Sequence, residues 1–209
     1  MPEREPRSPR TKPDRRLEIV KAAVACMRDK GYARLTARSI AERAGLSPGH
    51  ITYHFKDMKE VMAEAYRHAS DQLLQASTLD DLPADATAID RLRVFLGAGF
   101  SPEFLAPDYL RLRIDLWSAA QADAEIAQTD RALYDRYRAV LAGLLEQAAV
   151  ERGGGAANLS LVCDTVMATL DGLWLDWSRR RDPAAIRRGL DGCMVLVKAV
   201  VDQSATGRD

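Results

Sequence analysis

Nothing in this 209-residue chain is arranged for disulfide bonding. It has three cysteines, Cys26, Cys163 and Cys193, far apart and with no CxxC pair. An odd number set in apolar helical patterns points to small buried hydrophobes in a reducing compartment. The chain opens without an apolar signal-like region, and no run approaches a membrane span; Lys198 interrupts the longest C-terminal candidate. A soluble, cytoplasmic protein with no membrane partner is expected. Strand alternation and internal repeats are also missing. There is no phosphate loop, no nucleophile elbow and no acid–base pair at diagnostic spacing, which argues against an enzyme. His50 and His54 stand four apart, a metal-ligand spacing, but no glutamate lies between them and no third ligand is evident. No metal or cofactor is expected.

Net charge is absent too, with 30 Lys/Arg against 30 Asp/Glu, but the balance is not local. Residues 1–60 hold 14 Lys/Arg and 8 Asp/Glu, while 61–209 hold 16 and 22. A basic N-terminal part beside an acidic body suits a polyanion on one face only. Chance clustering on solvated helices would give the same numbers. The stretch from Leu35 to Phe55, LTARSIAERAGLSPGHITYHF, decides between them. Thr36 can cap a helix in which Ile40, Ala41 and Ala44 share one apolar face. Gly45 can end it in the left-handed conformation. Ser47 and Pro48 suit the N-cap and first position of a second helix. On that helix Ile51 and Phe55 can face inward, leaving His50, Thr52, Tyr53 and His54 outward. Two short helices on a glycine turn, the second rich in hydrogen-bonding side chains, suit a DNA major groove.

This segment resembles the DNA-binding domain of the TetR family of bacterial regulators. The matching residues are Thr36, Ile40, Ala41, Ala44, Gly45, Ser47, Gly49, Ile51, His54 and Phe55, followed by Val61 and Met62. Two departures stand out. Thr52 replaces the usual aromatic, and Met58 replaces a lysine that commonly meets a phosphate; Lys56 and Lys59 flank that gap. The expected DNA-contacting set is Thr36, Ser47, Gly49, His50, Thr52, Tyr53, His54, Lys56 and Lys59. Thr52 and His50 can meet base edges, and Tyr53 and His54 phosphates.

Around the motif the pattern is helical throughout, so the expected fold is all-α. Residues 1–13 carry four prolines among basic residues and read as a disordered basic arm. Residues 14–60 form the DNA-binding domain, whose first helix buries Leu17, Val20, Val24 and Met27. Residues 61–209 form a helical regulatory and dimerisation domain. Ser101-Pro102 reads as a further helix start. The last two helices carry stripes through Leu159, Val162, Val166, Leu170, Leu173 and Trp177, and through Ile186, Leu190, Cys193, Val197 and Val200. Their width suggests burial on two sides, one against a partner copy. Leu170, Trp177, Leu190 and Val197 are the expected dimer residues.

The second half also has a likeness. Leu92 through Phe100-Ser101-Pro102, Leu116-Trp117 and the run from Leu170 to Leu175 resemble the choline-responsive BetI-like repressors of glycine-betaine synthesis. That resemblance implies a homodimer on double-stranded inverted-repeat DNA, released by a small-molecule effector. Trp117, Trp174 and Asp171 are the first expected ligand residues, with Asp115, Tyr134 and Phe100 second. The rings can also simply fill a core, and the aspartates can pair with Arg111 or Arg113. A regulator of an apolar or anionic ligand, or a helical dimer acting through protein partners alone, fits the same pattern.

Overall fold

Capping residues and prolines set most helix starts where the sequence predicts them. The structure, a computed structural model, describes residues 12–77, 82–154 and 158–206. The head contains α1 (Lys12–Lys30), a single 3-10 turn (Tyr32–Arg34), α2 (Ala37–Ala44) and α3 (Pro48–His54). Then follow α4 (Met58–Ala76), α5 (Ala88–Ala98), α6 (Pro107–Ala122), α7 (Ala124–Glu151), α8 (Leu159–Arg180) and α9 (Pro183–Thr206). Among the described residues there is no strand, so the fold is all-α. The capping logic is visible in atoms. Thr36 and Ser39 form a reciprocal capping box on α2, as Thr87 and Asp90 do on α5. Gly45 ends α2 at φ 66°, a conformation that penalises any Cβ.

Two expectations need correction. Ser101-Pro102 opens a run of turns, and the helix starts only at Pro107. The turn is held by Leu105 N–H donating to Ser101 O, and it buries Phe104. Leu17 is 44% exposed; the buried stripe of α1 runs instead through Ile19, Val20, Ala23, Val24 and Met27. The expected basic arm falls largely on residues 1–11, outside the described residues, and α1 already begins at Lys12.

Two apolar clusters organise the packing. One joins the head (α1–α4) to α6 through Ile40, Ile51, Phe55, Val61, Met62, Leu112 and Leu116, with Trp174 reaching in from α8. The other fills α5, α7, α8 and α9. Phe100 packs against both. The head therefore does not hang from a linker. Helix α4 runs unbroken from the end of the reading motif into the body, and α6 forms part of the head's own core. An ion pair and a hydrogen bond add to this seam. Arg28 Nε donates to Asp108 Oδ2 at 2.6 Å, and Tyr32 N–H donates to Asp115 Oδ2 at 2.7 Å.

Candidate DNA-reading surface and effector cavity

Helix α3 presents one face outward because Ile51, His54 and Phe55 are all buried on the other. His50, Thr52 and Tyr53 are exposed, Tyr53 to 71%. Ser47 stands at the N-cap position, but its hydroxyl does not cap a backbone N–H; it bonds His50 Nδ1 at 2.8 Å and orients that ring. Thr52 Oγ1 donates back to Gly49 O at 3.1 Å. Gly49 is exposed, and a Cβ there would come no nearer than 3.9 Å to Ser47 Oγ, so its value is room for close approach.

One expected DNA contact is corrected, and a second is paired within the protein. His54 is 8% exposed, with its ring edge-on to Tyr53. It lies three residues after Ile51, within the buried arc of the helix, so it supports the reading face from behind. Lys59 Nζ lies 2.6 Å from Asp123 Oδ2, and that carboxylate holds the Lys59 pKa up. Its charge ties α4 to the N-cap of α7. Lys56 remains exposed, and its backbone N–H donates to Glu60 Oε2 at 2.7 Å.

One residue fixing this surface was not foreseen. Arg16 of α1 donates to the His54 carbonyl, pairs with Glu60 Oε1 at 2.9 Å and stacks 4.2 Å from the Phe55 ring centroid. It clamps the C-terminus of α3, where a cation meets the negative end of the helix. These bonds, led by the Lys56 N–H and then Arg16, hold the Glu60 pKa below the usual value. Only the fold brings residues 16, 54 and 60 together, so no local signal marks the clamp.

The body contains a cavity of about 410 Å³ between α4, α5, α6, α7 and α8. That volume suits a small organic ligand. Five of the six expected ligand residues line it: Phe100, Trp117, Tyr134, Asp171 and Trp174. The sixth, Asp115, does not. It lies on the head side of α6 with its carboxylate on Tyr32 N–H. Two residues along a helix turn the side chain by about 200°, which separates Asp115 from both Arg113 and Trp117.

Arg113 is the feature that sequence reasoning underrated. Its guanidinium carbon lies 5.1 Å from the Trp117 ring centroid and 4.8 Å from that of Trp174. The aromatic pair expected to hold a ligand cation thus already holds a protein one. Each such contact contributes about 0.5–2 kcal/mol, more as water is excluded. Arg113 Nε is buried and has no hydrogen-bond partner among the described residues, and Arg113 forms no ion pair there. Asp130, also on the wall, accepts the Tyr66 hydroxyl proton. Asp171 is solvent-accessible along the wall, yet crowding by protein atoms pushes its carboxyl pKa up, while the Arg113 charge pulls it back. The spacing of Arg113 and Trp117, four apart on one helix, is the signal that could have found this arrangement.

The residues expected at a dimer contact lie wholly or partly inside the protomer. Val197 is 0% exposed and Leu170 7%, both inside the protomer's own core. Trp177 is partly buried and donates to Leu105 O at 2.9 Å; Leu190 is partly buried against the second cluster. The apolar surface left open on these helices belongs to Leu161, Leu175 and Val195 instead.

A helix-turn-helix head fused through shared helices to a body with a ligand-sized cavity defines a transcriptional regulator, not an enzyme. The chain belongs to the TetR family, with a BetI-type C-terminal part. Residues 19–65 match the family described as bacterial regulatory proteins, tetR family, and 88–202 match the BetI-type transcriptional repressor C-terminal domain. The HTH-type transcriptional regulator BetI of Paraburkholderia phymatum is 25% identical over 91% of this chain and 95% of its own. BetI of Paraburkholderia xenovorans is 26% identical over 85% and 90%. Among solved structures, a regulator from Pseudomonas aeruginosa PAO1 superposes with a TM-score of 0.77 at 29% identity, covering 92% of each chain. A regulator from Saccharomonospora viridis, in complex with choline, shares the fold with a TM-score of 0.72 at 18% identity over 89% and 96%. No helix among the described residues is long and apolar enough to cross a membrane.

Proposed function

We propose that this regulator is a cytoplasmic homodimeric repressor that leaves an inverted-repeat operator when a small organic ammonium compound enters the body cavity. Choline is the reference compound. One observation carries the effector class: six aromatic side chains and the Asp171 carboxyl converge on one ligand-sized cavity. Aromatic faces with a nearby carboxylate suit a cation that has no N–H to donate. The names of the curated relatives and the choline-bound neighbour support the same class.

The reading surface follows from exposure. His50 and Thr52 address base edges, while Tyr53, Lys56 and Thr36 address phosphates, with Gly49 giving close approach and Ser47 holding His50. The partner surface follows from what the protomer leaves open. On α8, Leu161, Ala168, Gly172 and Leu175 are exposed at spacings of seven, four and three; on α9, Gly192, Val195 and Ala199 repeat the pattern. A small, apolar face on two adjacent helices suits a second copy of itself in a four-helix contact.

The coupling uses elements that belong to both halves. Tyr66, Ser70 and Leu73 of α4 line the cavity, and α4 starts four residues after the reading helix ends. Helix α6 turns Arg113 and Trp117 to the cavity and Asp108 and Asp115 to the head. A ligand that binds better to one setting of α4 and α6 shifts the spacing of the two heads, because only differential affinity moves such an equilibrium. Fluorescence anisotropy on a duplex selected by the protein from a random pool tests this. The expected result is sequence-selective, salt-dependent binding to an inverted repeat. Equal affinity for selected and scrambled duplexes would reject it.

A further inference from the structure

We propose that the cavity takes a zwitterion, its anionic end on Arg113 and its cationic end on Asp171. This rests on the reading of the cavity as the effector site and names the ligand class more narrowly.

Arg113 lies within cation–π reach of Trp117 and Trp174, its Nε is buried without a hydrogen-bond partner, and no carboxylate forms an ion pair with it among the described residues. Arg113 lines the cavity, and a guanidinium with no hydrogen-bond partner among the described residues is the group that receives a carboxylate. Asp171 lines the same cavity and forms no ion pair or hydrogen bond among the described residues. The other charged wall groups are answered: Arg136 pairs with Asp71, and Asp130 accepts from Tyr66. Arg113 and Asp171 feel each other's charge across the cavity, yet neither makes a hydrogen bond or ion pair with protein among the described residues.

Three ligand classes can be weighed against that pair. A simple cation finds the tryptophan faces occupied by a tethered arginine, and must displace it or sit beside a like charge. A simple anion meets Arg113 but shares the cavity with the Asp130 and Asp171 carboxyls. A zwitterion meets both open groups and adds no net charge to the cavity. Tyr134 and Phe100, free of Arg113, supply aromatic surface for the ammonium end.

Isothermal titration calorimetry on the full chain separates these classes with matched probes. They are choline, trimethylglycine, its longer homologue 4-(trimethylammonio)butyrate, and 3,3-dimethylbutyrate, the isostere of trimethylglycine with carbon in place of nitrogen. On the wild type, the better zwitterion should bind at least about tenfold tighter than choline and than the anion. In Arg113→Met the preference over choline should disappear. In Asp171→Asn the preference over 3,3-dimethylbutyrate should disappear. Arg113→Lys, which keeps charge without the planar fork, should fall between wild type and Arg113→Met. Choline binding as well as either zwitterion on the wild type, or a zwitterion preference that survives Arg113→Met, overturns the proposal and leaves the ammonium reading standing. If 3,3-dimethylbutyrate matches the zwitterions, both fall. Absence of binding by all four at about 10 mM rejects both as well.

Discussion

Val195 and Val197 are two residues apart on α9, and the structure assigns them opposite fates when mutated to glutamate. Val195 is 68% exposed in the protomer; Val197 is 0% exposed within the α5–α7–α8–α9 cluster. Fully burying a valine contributes roughly 1.5–3 kcal/mol, so covering the open two-thirds of Val195 contributes about 1–2 kcal/mol. A two-fold contact counts it twice, about 2–4 kcal/mol, before any penalty for a carboxylate at the interface. Val195→Glu should therefore raise the dimer dissociation constant by roughly 30- to 1,000-fold while the chain stays folded. Val197→Glu places an unpaired carboxylate in the protomer's own core, a change that removes a large part of the total stability of a domain. Sedimentation velocity read alongside far-ultraviolet circular dichroism separates the outcomes. A helical Val195→Glu monomer at micromolar concentration, beside an unfolded or insoluble Val197→Glu, is the expected pair. A wild-type-like Val195→Glu dimer would refute the assignment of this face.

On DNA, Lys56→Ala should weaken all duplexes alike and flatten the salt dependence, whereas Lys59→Ala should leave the slope unchanged because that amine is held by Asp123. Anisotropy at several salt concentrations reads both, and a changed slope in Lys59→Ala counts against the ion pair persisting on DNA. Arg16→Met removes a half-buried clamp worth about 1–2 kcal/mol after allowing for its solvent access. It should lower the thermal midpoint and weaken specific binding more than Lys56→Ala does. For Asp171, folding raises the pKa, so the ligand-free native state is stabilised by the proton below the ordinary carboxylate pKa and loses that contribution as pH rises through the raised value. Asp171→Asn should thus melt higher than the ligand-free wild type at neutral pH, with the gap closing in acid. Glu60 has the opposite sign. Its lowered pKa contributes stability above the ordinary value that is lost as pH falls through the lowered one. Glu60→Gln should be destabilising at neutral pH and indistinguishable in strong acid.

How much of this was legible beforehand differs by kind of residue. Helix starts are written locally, and Thr36, Asp57, Thr87 and Asp123 all cap the helices that follow them. The cavity aromatics were legible too, because Trp117 and Trp174 lie in distinctive runs. Errors came where one helix face had to be assigned among several possible neighbours. His54 looked outward as a polar residue, yet it shares the buried arc of Ile51 and Phe55. The dimer residues were chosen from the most apolar stripe, which is the stripe the protomer keeps for itself. The open face mixes Leu161, Leu175 and Val195 with glycines and alanines, so its apolar signal is weaker than that of the core stripe. Lys59 with Asp123, and Arg16 with Glu60, are pairs made by the fold across long sequence separations. Periodicity cannot announce them.

The central claim is that occupancy of the body cavity weakens the hold of the head on DNA. Anisotropy of a selected operator duplex, titrated with protein in the absence and then the saturating presence of the ligand that binds most tightly by calorimetry, tests it directly. The account predicts operator affinity at least about tenfold lower with ligand, with Trp117→Ala abolishing the difference. A ligand that fills the cavity, gives a full calorimetric isotherm and leaves operator affinity unchanged would contradict it.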